Sequence, residues 1–216
     1  MFYSRDYHRA TEEAARVFVE NGITAFPLNP VRLANRAGIK ILPYDRFAEL
    51  TAVGRDRLLE LSGDGFSTCL EKQFFIIYND DIRPRSRRRW TLLHEYCHIR
   101  LGHVPVTGGL LPSYPNERCL EAAADELTSC LIAPLPLLFL CRIENEAELT
   151  RCFGLSGQAA ANTFAAYRKY RRMDLSPELG YGDALDNFRR FSMEYVWKKE
   201  KASLHQHYRS VDVDGE

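Results

Sequence analysis

Between Trp90 and His103 the chain reads Trp-Thr-Leu-Leu-His-Glu-Tyr-Cys-His-Ile-Arg-Leu-Gly-His. His94 and His98 are four residues apart, so a helix carries both on one side. Their side chains start roughly 5–6 Å apart, which lets both imidazoles reach one ion at about 2.0–2.1 Å, the Zn–N distance. Glu95 lies about 100° round the helix from His94. There it can take a proton from a water on the metal without itself filling a coordination position. Leu92, Leu93, Ile99 and Leu101 would bury the rest of the helix surface. The chemistry this points to is metal-assisted hydrolysis. Two core histidines on a half-buried helix would satisfy the same spacing. The preceding apolar run, the Gly102-His103 exit and an acidic helix downstream favour the metal.

A catalytic zinc takes three protein ligands and keeps one position open. The pattern with a glycine three and a histidine six residues after the second His is excluded, because Leu101 and Val104 stand there. His103 follows the glycine exit and suits a role behind the ligands. The next helix, expected from Asn116 to Leu131, carries Glu117, Glu121 and Asp125 on one face. Glu121 as ligand would leave Asp125, one turn on, to accept the outer N–H of a zinc-bound histidine. Spacing alone leaves Glu117 and Asp125 open as the third ligand. An oxyanion donor is not identified by pattern, Tyr114 and His103 being the candidates. A closed structural site would need His103 or Cys97 as a fourth ligand.

The elements that position these groups follow from caps and periodicity. Thr11 to Asn21 reads as a helix capped by Thr11 and stopped by Gly22. Asn29-Pro30 opens a short helix that ends at Gly38. Ile39 to Pro43 reads as a strand, and Phe47 to Val53 as a weak helical turn. Gly65 to Leu70 and Gln73 to Tyr78 read as a hairpin, despite Glu71-Lys72 being an unusual two-residue turn. The run Arg83-Pro84-Arg85-Ser86-Arg87-Arg88-Arg89 reads as a solvated loop entering the metal helix, with nucleic-acid contact or anchoring of the helix start as alternatives. Val104 to Pro115 is a loop of functional length, able to act as a flap over the site. Pro134 and Pro136 interrupt the chain. Ala147 to Phe153 and Ser156 to Tyr170 form a helical pair resembling a helix-turn-helix, expected to pack on the core rather than bind DNA. A last helix is expected from Asp183 through Lys201, then a polar tail from His205.

Several stretches together resemble the ImmA/IrrE family of zinc metallopeptidases. They are Arg89 to His103, the run Glu121-Ala-Ala-Ala-Asp125-Glu-Leu-Thr-Ser-Cys-Leu-Ile-Ala-Pro134, the Asn29 to Leu42 opening and Phe75-Ile-Ile-Tyr-Asn79. The likeness spans roughly residues 10 to 170. It departs at Ala123, Leu127 and Leu-Ile-Ala-Pro134, which are packing positions. The resemblance implies one Zn²⁺ held by His94, His98 and Glu121, with Glu95 as general base. It also implies a protein substrate: a helix-turn-helix repressor whose cleavage releases silenced genes. The fold expected is α+β, with a small mixed or antiparallel sheet packed against a zincin-type helix and a second ligand helix, then further helices. The domain division expected is 1–175 for the peptidase domain and 176–216 for a helical extension and tail. The reading of a different class is a regulatory module that engages a DNA-binding partner without cleaving it, its zinc structural or absent.

Composition narrows the rest. Lys plus Arg and Asp plus Glu are 29 each, so no global charge favours nucleic acid or an anionic membrane. No uninterrupted apolar run approaches 18 residues, and the N-terminal stretch lacks the order of a secretory signal. Six cysteines without a C-x-x-C pair read as buried thiols in a reducing, cytoplasmic setting. The eleven-residue recurrence of Cys119, Cys130, Cys141 and Cys152 is broken by the two prolines, and Cys97 is expected to pack.

Overall fold

In the computed structural model, which describes residues 5–112, 117–172 and 181–211, the first helix is α1 (Arg5–Glu20). It begins before Thr11, because the apolar spacing already runs from Tyr7 through Ala10, Ala14, Val17 and Phe18, all buried. Thr11 is therefore an interior residue rather than a cap, and its hydroxyl donates to the His8 carbonyl at 2.9 Å. Helix α2 (Pro30–Arg36) is capped as expected, Asn29 Oδ1 accepting from the Arg32 N–H at 3.1 Å. Gly38, at φ 71°, turns the chain into β1 (Lys40–Pro43).

The stretch after β1 is more regular than expected. It forms α3 (Tyr44–Leu50) and α4 (Arg55–Leu61). Tyr44, Phe47 and Leu58 form a second small core with Phe66 and Ile77 from the sheet. Strands β2 (Gly65–Leu70) and β3 (Gln73–Tyr78) have the expected bounds. Glu71 and Lys72 supply the hairpin turn with φ of 50° and 65°. The left-handed conformation costs roughly 1–2 kcal/mol per non-glycine residue, a cost set against the pairing and burial of the two strands. The sheet order is β1-β3-β2, with β1 parallel and β2 antiparallel to β3, so it is mixed and β2 is an edge.

Helix α5 (Arg85–Arg100) packs on the sheet face opposite α3 and α4, α6 (Arg118–Ile132) lies beside α5, and α1 packs on α6. The structure is thus mixed α+β and mostly helical. The basic run is not a loop: Arg85 to Arg89 are the first turn and more of α5. Pro84 starts the helix, arginine is a good helix former, and several of these side chains are tied down. Arg87 makes two bonds of 2.8 Å to Asp64, Arg83 donates to the carbonyls of Asp80 and Ile82 at 3.0 Å, and Arg89 caps the Phe153 carbonyl.

Pro134 and Pro136 do more than interrupt, since they open α7 (Leu135–Leu140), whose first turn tolerates a residue without an N–H. The expected pair follows as α8 (Glu146–Phe153) and α9 (Gly157–Arg172), and Ser156 Oγ accepts from the Ala159 N–H at 3.2 Å. The composition of Arg118–Leu140 would suit a membrane span, but 67% of its most apolar window is buried inside the protein and it comprises two helices, α6 and α7. The boundary expected at 175/176 lies outside the described residues. Beyond it, a 3₁₀ segment (Gly182–Phe188) sends Ala184, Leu185 and Phe188 into the main core, the Phe188 ring 5.0 Å from that of Phe18. Helix α10 (Arg189–Val211) runs past the expected end at Lys201 and through the first part of the expected polar tail, since no glycine or proline stops it.

Candidate metal centre

Helix α5 carries His94, Glu95 and His98 at the centre of the structure. The apolar residues expected to bury it do so: Leu92 and Leu93 lie in the main core and Ile99 and Leu101 pack against it. The Nε2 atoms of His94 and His98 are 3.0 Å apart. Glu121, one turn into α6, brings Oε2 to 3.2 Å from His94 Nε2 and Oε1 to 3.5 Å from His98 Nε2. These three residues are a group able to hold one ion. Ligands at the zinc distance in a tetrahedral shell are about 3.3 Å from one another. The observed separations bracket that value, so the donor set fits a zinc-sized ion without rearrangement.

The outer nitrogens of the two rings have separate neighbours. His94 Nδ1 is buried and 3.1 Å from Asp125 Oδ1. The carboxylate oxygen sits off the N–H direction, so the contact is an ion pair by distance rather than an aligned hydrogen bond. His98 Nδ1 meets His103 Nδ1 at 3.1 Å, and the two rings cross at 72°. Gly102, at φ 74°, ends α5 and folds His103 back, its N–H donating to the His98 carbonyl at 3.0 Å. A neutral ring that carries its proton on Nδ1 keeps the Nε2 lone pair for a metal ion.

Burial and charge divide the histidines. Burial, reinforced by the nearby His94 and His103, pushes His98 down to about 3. Burial opposes charge on His94 as well, but Asp125, Glu95 and Glu121 outweigh it and raise that ring above its ordinary value. His103 is lowered, chiefly by burial.

Glu95 is buried, at 6% exposure, between α5 and the edge strand. Ser67 of β2, itself fully buried, donates its hydroxyl to Glu95 Oε2 at 2.8 Å. Sequence reasoning missed Ser67, because one hydroxyl in a strand has no spacing signature. The period-2 alternation that turns Ser67 and Cys69 to one side of β2 was its only signal. Close approach of β2 to α5 depends on Gly65. A Cβ there would lie 2.9 Å from the Ile77 carbonyl oxygen and 3.0 Å from Thr91 Cγ2. His94, Glu95 and Glu121 line one cleft of about 390 Å³, with Leu61, Phe66, Trp90 and Pro112 among its apolar walls.

Other expected site residues are placed elsewhere. Glu117 sits at the N-cap position of α6 and is not one of the converging donors. Tyr114 and the cap expected at Asn116 lie outside the described residues. Cys97 packs, accepting a contact from the Thr128 hydroxyl at 3.4 Å, and burial raises its thiol pKa far above the ordinary value. Cys69, Cys130, Cys141 and Cys152 are likewise buried and free, but Cys119 is exposed, because the first turn of α6 faces outward there. Residues 104–112 of the expected flap lie against β2. Thr68 donates its hydroxyl to the Gly109 carbonyl, and Leu111 packs on the outer core.

Comparisons with protein-family models, with curated proteins and with solved structures found no match to this chain.

Proposed function

We propose that the chain is a zincin-type zinc endopeptidase. The observation that carries this reading is the convergence of His94 Nε2, His98 Nε2 and the Glu121 carboxylate beside a cleft that His94, Glu95 and Glu121 line. When bound, zinc supplies Lewis acidity toward a carbonyl oxygen and toward water. Glu95 is the general base: it takes the proton of the attacking water and returns it to the leaving amine. Ser67 donates to one oxygen of that carboxylate and so fixes how it faces the cleft. Asp125 and His103 orient the ligand rings from behind. A fourth protein ligand from Cys97 or His103 would require those side chains to leave their present contacts, which favours an open, catalytic coordination position over a closed one.

A protein substrate suits the cleft, because its wall includes Gly65 and Phe66 at one end of an edge strand. An extended peptide can add to such an edge through main-chain hydrogen bonds. A helix-turn-helix repressor as that substrate, in the cytoplasm, rests on the family resemblance of the sequence. The decisive experiment is co-expression of the chain with a repressor encoded beside it, in wild-type and Glu95→Gln forms. Cleavage in the wild type and a loss of about 10²–10⁴-fold in the variant are expected, with stoichiometric zinc retained in both. Undiminished cleavage by Glu95→Gln refutes the mechanism.

A further inference from the structure

Helix α10 has two apolar sides, and the body of the protein uses one. Phe191 and Tyr195 pack against the main core, Ser192 is buried, and Lys199 pairs with Glu144 at 3.1 Å and Glu148 at 3.0 Å. At about 100° per residue, Met193, Trp197 and Leu204 gather on the opposite side, where they are 71%, 60% and 58% exposed. Their spacing is that of a heptad seam, with Trp197 and Leu204 at the a positions and Met193 and Glu200 at the d positions. Among the described residues, the ion pair farthest along α10 that joins it to the body is Arg142–Glu200 at 2.9 Å. Residues 201–204 are exposed all round while the helix continues to Val211. A projecting helix of this kind gains little stability in water without a partner.

We propose that α10 pairs antiparallel with the same helix of a second copy of this chain. The charges select both the orientation and the occupant. Centring the pair between Lys198 and Lys199 sets Met193 against the partner's Leu204 at both ends and Trp197 against the partner's Glu200. Glu194, which pairs with Arg190 of its own helix at 2.8 Å, then flanks the seam on the side of the partner's Lys201, and the two-fold axis repeats that pair. A parallel arrangement stacks Glu200 on Glu200 and Arg190 on Arg190 instead. Lys201 already stands beside the seam, its ammonium 5.1 Å from the Trp197 ring centre. Phe191, Ser192 and Tyr195 meet the body from the opposite side of the helix, and the body reaches the seam side through Arg142 at Glu200. One helix supplies both halves of the apolar match and both signs of the charge match. Such self-complementarity belongs to an isologous contact.

Sedimentation equilibrium of the full chain tests this without reference to catalysis. The expected result is a concentration-dependent mass approaching twice 24.9 kDa. Leu204→Glu, at an exposed position, weakens the dimer by about tenfold or more. Lys201→Glu weakens it too, and adding Glu194→Lys restores it, because the pair is re-formed with its signs exchanged. A wild-type chain that stays monomeric to high micromolar concentration overturns the proposal. So does a Leu204→Glu mass equal to that of wild type, or a charge exchange that restores nothing.

Discussion

The two ends of α5 make an instructive contrast. Its N-terminal end is densely charged, yet Arg83 just before the helix and Arg87 and Arg89 within it are each engaged by a structural partner. Its C-terminal half carries far less charge, but there two imidazole nitrogens and a carboxylate face one another across 3.0–3.5 Å with their outer atoms held from behind. Charge density therefore misleads as a guide to function. Convergence of several donor atoms on one point is the better sign, because crowding such polar atoms together is costly unless something binds between them.

Three perturbations test that contrast, in falling order of effect. Replacing His94 with Ala removes a donor from a half-buried position. It should weaken zinc binding by more than the roughly 10–100-fold that loss of an outer partner costs. Equilibrium dialysis measures this, and a folded variant with wild-type affinity would erase the distinction between the two ends.

Acid should act next, and asymmetrically. Metal binding needs both Nε2 atoms unprotonated. His94 is raised above the ordinary 6.5 while His98 is held down to about 3. As pH falls from above 6.5 toward 4, log affinity should therefore drop with a slope of one proton per ion rather than two. The same shifts act on the stability of the metal-free protein. His98, depressed in the folded state, contributes stability at and above pH 6.5 that is lost as pH falls through 6.5 toward 3. His94, raised in the folded state, contributes stability present below 6.5 and lost as pH rises through its elevated value.

The smallest effect belongs to the arginine end. Arg89 is partly buried, its pKa is lowered by burial, and Gly154 leaves room for its guanidinium beside the last turn of α8. Arg89→Met should lower stability by about 1–3 kcal/mol through the uncapped Phe153 carbonyl, seen as a lower melting temperature. Zinc affinity should not change. A coupled loss of metal would mean that the two ends act as one unit.

Where sequence signals were local, they were legible. The hairpin strands were readable residue by residue, and so were the Asn29 and Ser156 caps, because alternation and capping are written in adjacent positions. The convergence of Glu121 on the histidines was legible as one of three choices on a helix face, and the packing of α6 against α5 singles it out. Helices α3 and α4 were hard to read because they are short, and few of their residues reach the sheet. Helix α7 was obscured by prolines that can either end a helix or begin one. Ser67 acts through a residue 28 positions away, and no pattern along the chain encodes that.

Strand β2 uses its two adjacent hydroxyls on opposite sides. Ser67 grips Glu95 on the inner face and Thr68 grips the Gly109 carbonyl on the outer one. The strand is thereby a tether common to the carboxylate and the overlying loop. A lengthwise shift of this edge strand moves both attachments together, so its position is mechanically linked to the alignment of the Glu95 carboxylate.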